Sequence, residues 1–154
     1  MGFFKSMDIS ASALSAQRFR MDIIAENLAN AQTTRMADGN PYVRKYTIFQ
    51  EREGGQNFSD MLRNAYATDV GTTPSKSVGA GVRVVELRED NAPFRLDYDP
   101  THPDALEDGY VRYPNVETVT EMVDMMSAYR SYEANITAIQ QSKAMAMKAL
   151  EIGK

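Results

Sequence analysis

Apolar residues in the last quarter of the chain recur with a spacing of three and four at eight of nine positions. With Met122 as a and Met125 as d of a heptad, the a row is Met122, Tyr129, Ile136, Lys143 and Leu150, and the d row is Met125, Tyr132, Ile139 and Ala146. Lys143 alone departs from the apolar rule. A repeat of this period predicts one long helix with a narrow seam that needs a partner along its whole length. Thr118 and Glu121 have the spacing of a capping box, Asn115 offers an alternative cap, Pro114 lies just outside, and Gly153 marks the stop. Glu117, Glu121 and Asp124 gather near the start and Lys143, Lys148 and Lys154 toward the end, which opposes the helix dipole. From Glu117 to Ile152 such a helix spans roughly 54 Å, longer than a compact domain of this size is wide.

A second seam runs from about Ser6 to Ala31, where Met7, Leu14, Met21 and Leu28 recur every seven residues beside Ala11, Ile24 and Ala25. Small residues from Ser10 to Ala16 leave little bulk on the other faces, which permits close neighbours. The same period also suits an ordinary amphipathic helix lying on a single core.

Between the two seams the period changes. Asp38-Gly39-Asn40-Pro41 is a strong turn signal, and Tyr42 to Gln50 alternates imperfectly as a strand. Residues 51–81 read as a long exposed loop, within which Phe58, Met61, Leu62, Ala65 and Tyr66 have the spacing of a short helix. Val82 to Arg88 and Phe94 to Tyr98 read as strands separated by a turn at Glu89 to Pro93, and Tyr110 to Tyr113 as a last short strand. The expected fold class is therefore α+β, mainly α. Residues 1–36 and 114–154 form an antiparallel, coiled-coil-like pair of terminal helices, and 37–113 a small β-rich central segment.

Composition narrows the chemistry. The chain has 154 residues, a net charge of −4 with both signs interspersed, and no basic stripe interleaved with aromatics, which argues against nucleic acid as a partner. The absence of cysteine excludes disulfides, thiolate zinc sites and thiol nucleophiles. The start, MGFFKSMDIS, has no apolar run of the length a signal peptide or membrane span needs, so a cytoplasmic protein or one exported by a signal-free route is expected.

Asp97, Asp99, His102, Asp104, Glu107 and Asp108 form the one site-like cluster, with oxygen donors and an imidazole suited to a hard divalent cation. A metal-dependent hydrolase built on Asp97, Asp99, His102 and Asp104 is one reading. Pro100 and Pro103 break the run, EF-hand spacing is absent and turn chemistry alone accounts for the aspartates, so a solvated acidic loop is the preferred one. A lone histidine builds no triad, no phosphate-binding loop occurs, and Gly79-Ala80-Gly81 precedes a strand instead of following one. No catalytic, cofactor-binding or metal residue is assigned. The methionines and tyrosines of the second helix read as adaptable packing.

The N-terminal string ALSAQRFRMDIIAENLANAQTT (Ala13 to Thr34) resembles the signature of the bacterial flagellar axial proteins, whose usual core is Ala-Asn-Asn-Leu-Ala-Asn followed by threonines. Asn27, Leu28, Ala29, Asn30, Thr33 and Thr34 match, and Glu26 replaces the first Asn. DGNPYVRKYTIFQ (Asp38 to Gln50), the block from Gly81 to Val116 and the stretch from Glu121 to Lys154 are similar to the proximal rod proteins within that group. The resemblance implies a non-catalytic, cofactor-free building block of the periplasmic drive shaft, exported without a cleaved signal through the flagellar type III apparatus. Its implied partners are copies of itself and other rod subunits, proximal and distal, with no nucleic acid and no membrane insertion. The expected assembly residues are Met7, Leu14, Met21, Leu28, Met122, Met125, Tyr129, Tyr132, Ile136, Ile139 and Leu150 as inter-helix knobs, with Asn27 and Asn30 as polar pairings. A cytoplasmic helical adaptor or export chaperone that closes the same seams on one target helix is the alternative.

Overall fold

A computed structural model describes residues 2–52, Leu62 and 79–152. Helix α1 spans Gly2–Ala29 and helix α2 spans Thr118–Ile152; between them lie strands β1 (Lys45–Glu51), β2 (Val82–Glu89), β3 (Arg95–Tyr98) and β4 (Tyr110–Tyr113). Neither helix has an internal glycine or proline, so both run on until a specific stop. In α1 that stop is Asn30, whose backbone and side-chain amides both donate to the carbonyl of Glu26 at 3.1 and 2.9 Å.

The helices pack antiparallel. Arg20 meets Asp124 and Asn27 meets Glu121, so position numbers rise on one helix as they fall on the other. Paired residue numbers total 144 in the first contact and 148 in the second, which brings Gly2 level with about residue 144 of α2. The last two turns of α2 therefore project past the first residue of α1. This is the expected fold class: two long terminal helices paired around a small β segment.

That β segment is two separate ribbons. β1 pairs antiparallel with β2, and β3 with β4; β2 and β3, adjacent in sequence, do not pair with each other. In the first ribbon the register shifts between Ile48 and Phe49, leaving Val85 of β2 without a partner. β1 begins three residues later than the expected Tyr42, because Tyr42 leaves the sheet and is fully buried.

The β1–β2 ribbon lies along α1, anchored at both ends. Asn27 bonds the backbone of Lys45, and the Ser12 hydroxyl accepts from the backbone N–H of Val82 at 3.1 Å. Ser12 and Asn27 are about 22 Å apart along the helix and Lys45 and Glu51 about 20 Å apart along the strand, so the two spans match. Gly81 makes the close approach possible: at φ +114° it holds a backbone that side chains rarely adopt, and a Cβ there would collide with the Ser12 hydroxyl. Asp38 to Pro41 forms the expected turn, with Gly39 at φ +77°.

The buried apolar residues are Ala16, Ile23, Ile24, Tyr42, Val111, Val116 and Ala128. They place a small core where the C-terminal half of α1, the segment before β1, β4 and the first turns of α2 converge. Among the described residues the other ends of both helices contribute nothing fully buried. The short helix expected from Phe58 to Tyr66 lies, Leu62 apart, outside the described residues.

Candidate functional site

Where the core meets α2, a polar cluster is buried with it. Glu121 is 1% exposed and both its carboxylate oxygens are taken: one accepts from Arg44 Nε at 2.6 Å, the other from Asn27 Nδ2 at 3.1 Å. Asn27, equally buried, also donates to the Lys45 carbonyl at 2.8 Å and accepts from the Lys45 N–H at 3.0 Å and from the Tyr42 hydroxyl at 2.8 Å. Every polar atom of the Asn27 side chain is thus used, and α1, α2 and the entry to β1 are tied at one point.

Arg44 extends the cluster outward to Asp90 at 3.5 Å and Asp124 at 3.8 Å, and Asp124 also receives Arg20 at 3.1 Å. Burial acts to lower the Arg44 pKa, but the hydrogen bond and charge of Glu121, with those of Asp90, more than offset it and hold it above its ordinary value. Tyr42 is pushed up to about 12, first by burial and then by the negative charges of Glu26, Glu121 and Glu89.

Two sequence expectations fail here for a common reason. Glu121 does not close a capping box with Thr118, because its two carboxylate oxygens are bonded to Arg44 and Asn27. Asn115 is not the cap either: its oxygen accepts from the Arg44 N–H and its amide donates to the carbonyls of Asp90 and Ala92. Tertiary partners separated by dozens of residues outcompete the local ones.

The same anchoring sets which face of α2 looks inward. The rows turned toward the rest of the chain are Glu121, Ala128, Asn135 and Ser142 with Met125, Tyr132, Ile139 and Ala146. The d row is where the heptad put it, while the a row is displaced by one residue. Met125, Tyr132 and Ile139 are accordingly half-buried; of the a row Ile136 is half-buried too, whereas Met122, Tyr129 and Leu150 are 49%, 58% and 76% exposed. Lys143 is exposed as well and forms no ion pair among the described residues. On α1, Met7, Leu14, Met21, Leu28 and Asn30 are half-buried, and the deepest positions are Ala16, Ile23, Ile24 and Asn27.

Two apolar surfaces are left on α2. In the first three turns Val119, Met122, Val123, Met126 and Tyr129 share one flank, all about half or more exposed. At the projecting end Met145, Met147, Leu150 and Ile152 are exposed by 55% to 87%. Exposed apolar side chains grouped on a helix in this way are the kind of surface that partners cover.

The acidic segment does structural work. Asp99 closes a turn on Thr101, whose hydroxyl and backbone N–H bonds hold its pKa below the usual value. His102 Nδ1 accepts from the Asp104 N–H at 3.1 Å, and Asp104 receives the Thr34 hydroxyl at 2.8 Å, which ties the exit of α1 to the loop between β3 and β4. Among the described residues no group of His, Asp and Glu is arranged to hold a metal ion, and no helix is long and apolar enough to cross a membrane.

Comparison with known proteins gives this geometry its context. Residues 7–35 match the family described as Flagella basal body rod protein, and residues 107–152 match Flagellar basal body rod FlgEFG protein C-terminal. Those two stretches hold most of α1 and α2. Three relatives carry the name flagellar basal-body rod protein FlgC. The one from Bacillus subtilis is 48% identical, with all of both chains covered. The one from Borreliella burgdorferi is 42% identical over 99% of this chain and 98% of its own, and the one from Salmonella typhimurium 39% identical over all of both. With paired terminal helices, the two matched stretches and relatives this similar from end to end, the chain belongs to the FlgC family of flagellar basal-body rod proteins.

Proposed function

We propose that this chain is a non-catalytic structural subunit of the proximal part of the flagellar rod, that it assembles head to tail in a helical tube through its terminal helices, and that it carries torque by rigid helix packing. The observation that carries this reading is the apolar surface of α2, which a single copy leaves uncovered from Val119 to Tyr129 and again from Met145 to Ile152. A head-to-tail contact that does not close into a ring generates a filament, which suits a shaft. Copies of the same chain and other rod subunits are the partners this implies, in the periplasm, after export through the flagellar type III apparatus without a cleaved signal.

The assembly residues follow in two groups. Met122, Tyr129 and Leu150 contact neighbours directly, while Met7, Leu14, Met21, Leu28, Met125, Tyr132, Ile136 and Ile139 sit where pairing within one subunit meets pairing between subunits. Asn27 and Asn30 hold the helix end that presents them. Tyr129→Asp tests the reading. Because Tyr129 is mostly exposed, the variant is expected to keep its helical content by circular dichroism and to be lost from purified basal bodies, with motility lost in soft agar. Wild-type incorporation and swimming would sink the proposal.

A further inference from the structure

Two faces of α2 compete for α1. The heptad rows containing Met122, Tyr129 and Ile136 are the more apolar, yet the fold turns inward a row of Glu121, Ala128, Asn135 and Ser142. Hydrophobic burial by itself favours the first arrangement, since it would cover two side chains that are 49% and 58% exposed. At about 100° per residue, displacing one of two inward rows by one position corresponds to a turn of roughly 50° of the helix about its axis.

We propose that the buried Asn27–Arg44–Glu121 cluster is a rotational latch that holds α2 turned away from its most apolar seam and so reserves Met122 and Tyr129 for a neighbouring subunit. Glu121 is bonded through one oxygen to α1 and through the other to the segment entering β1, so its position is fixed from two directions. Turning α2 by that angle would sweep the Cβ of Glu121 through an arc on the order of 3 Å, enough to part both bonds and strand a buried carboxylate. The other contacts restrain it less: the Arg20–Asp124 pair at 3.1 Å joins side chains about a third exposed, where long side chains can follow a turn, Ala128 and Ser142 are small, and the Asn135 amide bonds the Ser131 carbonyl within its own helix. A single buried polar group that fixes the register of paired helices is an attested use of such groups. Only the role of the reserved residues rests on the assembly reading; the rotation does not.

The absence of cysteine makes the rotation measurable in the full-length chain. Single Met122→Cys and Ala128→Cys variants are treated with a small maleimide, alone and combined with Glu121→Met. With the latch intact, position 122 is expected to react fast and position 128 slowly. With Glu121→Met the rate at 122 falls and that at 128 rises, each by about tenfold, as the population shifts to the other face. Glu121→Gln keeps the Arg44 bond but sets its amide against that of Asn27, so both rates shift in the same direction as with Glu121→Met and by less. Unchanged rates at both positions in the Glu121→Met background overturn the latch. If that variant loses its helicity, Glu121→Met with Arg44→Met removes both charges together, and loss of helicity there too overturns the latch by making the cluster a requirement for folding. Basal-body incorporation is scored separately: changed labelling with normal incorporation keeps the latch and removes Met122 and Tyr129 from the assembly surface.

Discussion

The two ends of α2 are made of similar residues and treated in opposite ways. At its start, Glu121 and Ala128 are buried at 1% and 0% exposure, Glu121 held by Asn27 of α1 and Arg44 of the segment entering β1; at its end, Met145, Leu150 and Ile152 are exposed by 63% to 87%. Apolar character does not separate the ends, since both are rich in large apolar side chains. Position relative to α1 separates them. The antiparallel pairing stops near residue 144, and the polar cluster lies at the opposite limit of the overlap. One end completes a fold; the other projects beyond it.

This contrast can be broken most severely at Arg44. Arg44→Ala leaves Glu121 buried with Asn27 as its remaining partner, and urea unfolding is expected to show a loss of about 3 kcal/mol. A loss no larger than that of a surface substitution would mean that the junction is wetter than the structure shows. A smaller effect is expected at Tyr42, where Tyr42→Phe removes one buried hydrogen bond while Asn27 keeps that of Lys45, at a cost of about 1 kcal/mol. The same variant carries a pH signature. The Tyr42 pKa is raised in the folded chain from 10.0 to about 12, so its contribution is intact below pH 10 and is lost as pH rises through 10 toward 12. Stability of the parent should therefore fall more steeply than that of Tyr42→Phe in that window, and parallel slopes would contradict the burial of the hydroxyl. The smallest effect belongs to the far end. Leu150→Ser should leave unfolding of the free chain unchanged within about 0.5 kcal/mol, and a larger loss would show that the projecting turns are covered within one subunit.

How much of this was legible beforehand follows the same division. Both helices, the turn at Asp38 to Pro41, the strand Tyr110 to Tyr113 and the antiparallel fold class are written in local periodicity and punctuation. The bulge at Val85 depends on how β2 registers with β1, which neither strand's own alternation reveals. The polar cluster is not legible at all. Asn27 and Glu121 are 94 positions apart and each has a sufficient local explanation, one as part of a signature near a helix end and the other as a cap. Lone polar residues carry no mark of burial, whereas rows of apolar ones do. The displaced a row has a related origin: a heptad count registers every apolar side chain, whether its partner lies in its own chain or in another molecule.

The β1–β2 ribbon strapped along α1 has a mechanical meaning. It is fastened to the helix near both ends, at Ser12 and Asn27, and its strands run in the direction of the helix axis. A pull along that axis loads the inter-strand hydrogen bonds in shear, so they share the force and must fail together, whereas a pull across it would open them one at a time like a zipper. Bending α1 must likewise stretch or compress a second beam joined to it, and two beams joined at their ends resist flexure far more than either does alone.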